Sequence, residues 1–275
     1  MTRSLKPTFF IFGLLGGLLL LGLLLPILNL LIYADWSSWM AALREPGAGK
    51  ALRTSAMTSA MSVVIMTFLG VPLGYLLARG RLPFQRFWMG LVFLPMVVPG
   101  LAGGILLLLT FGPNGMIGKP LDSWDVALTN NLVGIVLAQL FVSAPFVIVS
   151  AYAGFSGVDA KLEMAAATLG DSRWDIFRRI SLPLAWPGIA AGITLAWIRA
   201  LGEFGATLIV AYNPHTLPVY LWVKFESNGL TGALPVALVL VLLAAAAVAV
   251  SMFLNHLTGY GEGVGVRDYI PGRQT

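Results

Sequence analysis

The chain has 275 residues, 58% of them hydrophobic and 11% charged, with a formal net charge of +5 and a mean hydropathy of +0.86. A water-soluble domain carries about 25% charged residues, so this chain cannot cover a soluble surface of its size, whereas lipid solvates such a composition. Cysteine is absent, which removes disulfides, thiolate metal sites and cysteine nucleophiles; His215 and His256 stand far apart with no metal-ligand spacing.

Crossing about 30 Å of hydrocarbon takes roughly 20 apolar residues. Six stretches qualify: Phe9–Tyr33, Leu52–Ala78, Phe87–Phe111, Leu132–Gly154, Leu184–Tyr212 and Leu234–His256. The expected fold is therefore all-α, a polytopic transmembrane helical bundle of six spans. Arg3 and Lys6 precede the first run as they would in a signal peptide. That run is too long for a signal h-region and no A-x-A site follows it, so it reads as a retained span. Gly13, Gly16 and Gly17 suit close helix packing there, without strict GxxxG spacing.

Between spans one and two, Gly47-Ala48-Gly49-Lys50 matches part of a phosphate-binding loop. A complete Walker A motif needs a Gly where Arg44 stands and a Ser or Thr where Ala51 stands. With no complete motif elsewhere, the chain is not expected to hydrolyse ATP. Within the spans, kinks are expected at Pro95, Pro99 and Pro145, with further interruptions at Pro72 and Gly74 and at Pro187 and Gly188. Such kinks shape a pathway or belong to ordinary packing.

Charge alternates from loop to loop. Arg3 and Lys6, then Arg79, Arg81 and Arg86, then Lys161, Arg173, Arg178 and Arg179, then Arg267 and Arg273 fall on one side. The other side holds Arg44, Lys50 and Arg53, then Lys119, then Lys224. Cations favour the cytoplasm, so both termini are expected inside. The net positive charge is then a topology signal and not a nucleic-acid footprint. Asn114, His215 and Asn228 fall in outer loops, where turn residues are expected.

The cytoplasmic stretch after span four reads VDAKLEMAAATLGDSRWDIFRRISLPLAWPGI. Leu162, Ala165, Ala166 and Leu169 make one apolar stripe on a short helix, with Asp159 as N-cap and Gly170 as the left-handed residue after its end. A second helix starts with Ser172 and Asp175 in capping-box spacing, and Pro183 is expected to end it. Helices of about ten residues are not stable alone in water. The small-residue face therefore rests on the protein's own helix ends or docks another subunit.

In span five, Arg199 and Glu203 lie four residues apart and are expected on one helix face, with Thr207 a further four residues on. Each charge at a helix centre costs about 2.5–3.5 kcal/mol. The pair must face the bundle interior or a water-filled cavity, as a substrate pathway or gate, or as a packing ion pair.

The elbow resembles the cytoplasmic loop of ABC importer permeases (binding-protein-dependent transport system inner-membrane components), written E-A-A-x-x-x-G-x(9)-I-x-L-P. Ala165, Ala166, Gly170, Ile180, Leu182 and Pro183 fall on that pattern; Met164 occupies the glutamate position and Glu163 stands one residue earlier. The resemblance implies that residues from Glu163 and Met164 through Leu169 and Gly170 to Pro183 couple the chain to a separate ATPase. It also implies a homodimer, two ATP-binding-cassette ATPase subunits using ATP and Mg, and an extracytoplasmic substrate-binding protein, with no cofactor bound by this chain. It extends over about residues 50 to 260. The expected division is thus 1–49, an N-terminal helix and outer loop; 50–260, the permease domain; and 261–275, a short cytoplasmic tail. RALGEFGATLIVAY and the NPHTLPVYLWVKFESNGLTGALPVA that follows are similar to permeases for tetrahedral oxyanions, molybdate and tungstate first and sulfate next. Two other classes compete less well. A secondary transporter would show inverted repeats and more midplane charges, and an intramembrane enzyme would show H-E-x-x-H, G-x-S-x-G or paired aspartates.

Overall fold

The computed structural model describes residues 5–33, 37, 40 and 45–257. Expectations for Arg3, Arg44, Arg267, Arg273 and the tail 261–275 lie outside the described residues, as do the side chains of Lys6 and His256.

The described residues form helices and connecting turns. α1 (Leu5–Tyr33), α2 (Pro46–Ala78), α3 (Gln85–Val97) and α4 (Gly100–Phe111) come first. A short α5 (Gly118–Asp122), α6 (Leu132–Ser156), α7 (Ala160–Thr168) and α8 (Arg173–Ile176) follow. A π turn over Phe177–Ser181 then leads into α9 (Leu182–Leu201), α10 (Gly205–Val210) and α11 (Leu217–Leu257). α1 is apolar on every face and exposed along its length, the pattern of a helix solvated by acyl chains. It leans against α11.

The core is α2, α6 and α9, joined through small residues. A Cβ on Gly74 would stand 2.6 Å from Ala151 Cβ, and one on Gly192 would stand 2.3 Å from Ser150 Cβ. These backbones touch, which is how membrane helices gain packing energy without a hydrophobic drive between them. Met66, Val147, Phe155, Ala185 and Ile189 fill the space around those contacts. Polar pins cross the same core. Ser62 donates to Gln139 Oε1 at 2.8 Å, and Gln139 Nε2 reaches Thr58 Oγ1 at 3.3 Å and the Ala200 carbonyl at 3.2 Å. Trp197 Nε1 donates to Ser59 Oγ at 3.2 Å.

Contacts along α2 and α6 run in the same order: Ser62 with Gln139, Gly70 with Val147, Gly74 with Ala151, and Arg79 with the Phe155 carbonyl. The two helices are parallel, so residues 79–131 must carry the chain back across the membrane. α3 and α4, bent by 113° at their junction, supply that return. At 1.5 Å per residue they are about 20 Å and 18 Å long, and neither spans alone. Counted as one passage, the pair completes six with the five full-length spans. The elbow then lies on the same side as Arg79, opposite Glu45 and Leu217. α9 runs antiparallel, with the Ala185 carbonyl at Gly154 and the Ala200 carbonyl at Gln139.

The helices depart from the expected spans at their breaks. Span three turns at Val98 (φ −68, ψ 122) and Pro99, one of the expected kinks, because a residue before proline is driven to extended backbone; the bend is large enough to split the span into two helices. Pro95 and Pro145 sit inside uninterrupted helices. Span two starts earlier than expected, at Pro46. Span five stops at Leu201 and resumes at Gly205. The last helix begins at Leu217 and breaks at Gly229, whose φ of 64 is left-handed.

Candidate functional site

At the elbow, Asp159 caps α7 by accepting from Lys161 N at 2.9 Å. The helix closes with Gly170 N donating to Ala167 O and Asp171 N to Ala166 O, the paired bonds of a Schellman end. This places Gly170 at φ 97, with open space for 4 Å around the point where a Cβ would stand. Ser172 Oγ accepts from Asp175 N at 3.2 Å and starts α8. That second helix does not end at Pro183 as expected. It widens through the π turn, where Leu182 N donates to Phe177 O, and continues as α9. A π turn opens the i→i−4 ladder, and proline is tolerated in the first turn that follows.

The apolar stripe divides. Ala166 is buried against the bundle, whereas Leu169 is 87%, Met164 59% and Leu162 49% exposed. Ala165 and Gly170 are exposed beside them. Ile180, Leu182 and Pro183 are half-buried, with Leu182 packed on the core. Glu163 points the other way from Met164. It accepts from Arg79 Nε at 3.0 Å and from Ser181 Oγ at 2.6 Å, while Arg79 Nη1 donates to the Phe155 carbonyl at 3.0 Å. A cleft of about 240 Å³ opens beside it, lined by Tyr75, Arg81, Ala160, Met164 and Arg173 among others.

The second feature lies inside the membrane, where the break of span five meets the bend of span three. Arg199 and Glu203 do not share a continuous helix. Glu203 lies past the end of α9, and its carboxylate bridges the gap. Oε2 accepts from Arg199 Nη1 at 2.6 Å and Oε1 from Ala206 N at 2.7 Å. Its side chain is 2% exposed, that of Arg199 37%. Gly205 packs on Gly100 so closely that a Cβ on Gly205 would meet Leu101 N at 2.8 Å. Thr207 belongs to α10, beyond the break; its buried hydroxyl finds no hydrogen-bond partner among the described residues. At the break the Ala200 carbonyl accepts from Glu203 N at 3.2 Å and, across the core, from Gln139 Nε2 at 3.2 Å.

Composition and spacing leave Gln139, Arg79 and Ser181 unmarked. A buried glutamine facing a serine–threonine stripe (Ser55, Thr58, Ser59, Ser62) is a visible signal for the first. On the opposite side, Glu45 accepts from Tyr220 Oη at 2.6 Å and Lys224 Nζ at 2.8 Å. The Lys224 bond, then that of Tyr220, holds the Glu45 carboxyl below its ordinary range.

Residues 70–258 match the family model described as binding-protein-dependent transport system inner membrane component. A probable molybdenum ABC transporter permease protein of Haloferax volcanii is 45% identical over 235 residues, covering 86% of each chain. The molybdate/tungstate transport system permease protein WtpB of Thermococcus kodakarensis is 41% identical over 236 residues, 85% of this chain and 90% of that one. In structure, the chain is similar to one from a bacterial alginate ABC transporter solved with its periplasmic protein. That match has a TM-score of 0.67 at 17% identity, over 96% of this chain and 99% of the other; at that identity the likeness speaks for the fold.

Proposed function

The chain belongs to the family of binding-protein-dependent transport system inner membrane components, and from that premise we propose that it is the membrane-spanning permease of an importer for molybdate or tungstate. The substrate reading follows the two relatives, 45% and 41% identical, one named for molybdenum and the other for molybdate and tungstate. The observation that carries the mechanism is the elbow. On the cation-rich side, three large apolar side chains, Leu162, Met164 and Leu169, project from a nine-residue helix and its cap, and a helix so short needs a partner on that face.

In this reading a separate ATPase binds and hydrolyses ATP with Mg and grips the outer face of α7. Ala165 and Gly170 keep that face shallow. The half-formed phosphate loop at Gly47–Lys50 sits at the start of α2, on the opposite side of the membrane from the elbow. Two copies of the chain, two ATPase subunits and an external binding protein complete the machine. Arg199, Glu203 and Thr207 lie where two broken helices meet, the place a pathway or gate is built, since interrupted backbone at membrane depth is tolerated where protein buries it or water lines it.

The test is uptake of labelled molybdate, tungstate and sulfate into vesicles holding the permease, its ATPase and the binding protein. ATP-dependent molybdate or tungstate uptake is expected, and preference for sulfate would move the substrate assignment. Gly170→Asp places a charged side chain at a left-handed residue on the exposed elbow. Loss of ATPase co-purification with normal membrane insertion is expected. Uptake driven by an ion gradient without the ATPase would overturn the importer reading.

A further inference from the structure

We infer that Glu163 is the inward anchor of the elbow, a positioning residue that ties the coupling helix to three spans at once. The inference rests on the coupling reading of α7. One carboxylate gathers Arg79 from the end of α2 and Ser181 from the π turn leading into α9. Through Arg79 it also gathers the Phe155 carbonyl from the end of α6. Arg79 and Glu163 are only 11% and 14% exposed, so a partner subunit does not reach them as it reaches Met164 and Leu169. Bonds between ionised groups are short and strong, and in this poorly hydrated position they are little screened.

The remaining attachment of α7 is slight. Ala166 is its one buried side chain, and the cleft by Tyr75 and Met164 leaves room on one side. A force applied to the exposed face of α7 therefore reaches the bundle chiefly through the Glu163 carboxylate. At the other end of that link, α2, α6 and α9 touch backbone to backbone. Packed backbones transmit displacement and do not absorb it, so a tilt of the elbow moves the cytoplasmic ends of all three together. The charged side chain one residue before the motif's glutamate position thus links spans within the chain, while Met164 faces the partner.

The test uses the whole transporter in proteoliposomes, reading ATPase co-purification, ATP hydrolysis and anion uptake for each variant. Glu163→Gln is expected to co-purify with the ATPase and to hydrolyse ATP, while ATP consumed per anion rises roughly tenfold. Ser181→Ala, which leaves no charge unpaired, is expected to shift the ratio the same way by a smaller factor. Arg79→Gln with Glu163→Gln is expected to be no worse than either alone, because both remove one link. Loss of ATPase co-purification in Glu163→Gln, with the elbow still protease-resistant, would make Glu163 a surface contact and overturn the inference. A wild-type ratio in both Glu163→Gln and Ser181→Ala would overturn it as well. Failure of the wild-type assembly to import would instead strike the functional reading.

Discussion

A carboxylate held by an ammonium and a phenol joins the start of α2 to the outer turn of α11. Glu45 is half-exposed, so solvent screens the tie and its energy is modest, but its pH dependence has a definite sign. The folded protein holds the Glu45 carboxyl below its ordinary value, so the unfolded chain binds the proton more readily. The stabilisation is fully present above the unfolded value, about 4.3, and disappears as the pH falls through the lower folded one. Wild type and Glu45→Gln should therefore differ by a constant margin in thermal unfolding from pH 7 to about 5, and that margin should close on further acidification. Identical melting at pH 7 would show that the tie contributes nothing. At this scale the sequence is a partial guide. Glu163 stands out beside the motif, but which way it points depends on Arg79, 84 residues earlier, and no local pattern encodes that partnership.

The helices themselves are far more legible. Twenty apolar residues in a row have few alternatives in lipid, and every expected span is helical over most of its length. The caps of the elbow at Asp159, Gly170 and Ser172 also form as spacing indicates, because capping is decided within four residues. What hydropathy does not convey is where a helix yields. The backbone at Val98 and at Gly202–Phe204 leaves the helix amid apolar sequence, and a hydropathy window averages across it. Close packing is equally hidden, since a glycine's neighbours lie on other helices. Gly192 shows what rests on them. With Ser150 Cβ 2.3 Å from where its Cβ would stand and Phe146 O at 3.0 Å, Gly192→Ala must push α6 and α9 apart. A loss of about 1–3 kcal/mol is expected, as for overpacking in a core. Gly90→Ala, with nothing within 4 Å, should melt at or slightly above wild type. Equal melting of the two variants would mean that α6 and α9 are not in contact at Gly192.

For the molecule as a whole, the decisive surface is the face of α9 that the single chain leaves open. Ala191, Leu195 and Gly202 are exposed and Arg199 is half-exposed, at helical intervals along a segment inside the membrane. A guanidinium facing acyl chains costs about 2.5–3.5 kcal/mol, so in the membrane this face is expected to be covered by something other than acyl chains. The two halves of the ion pair then differ in consequence. Arg199→Ala leaves the Glu203 carboxylate, 2% exposed, with Ala206 N as its remaining donor; the cost falls below that of a fully buried pair, about 3–5 kcal/mol, because Arg199 itself is 37% exposed. Glu203→Gln removes the charge and keeps one oxygen, which can accept from Arg199 or from Ala206 N but not from both. Both variants should melt below wild type, since Arg199→Ala strands the Glu203 charge and Glu203→Gln leaves one donor without its acceptor. If the pair only packs helices, uptake will track melting in both variants. If it lies on the anion's route, Glu203→Gln will change uptake several-fold beyond what its melting accounts for, because a permeating oxyanion no longer meets a fixed negative charge beside Arg199. Unchanged uptake in a stable Glu203→Gln protein would remove the pair from the pathway and leave the meeting of the two broken helices as a structural joint.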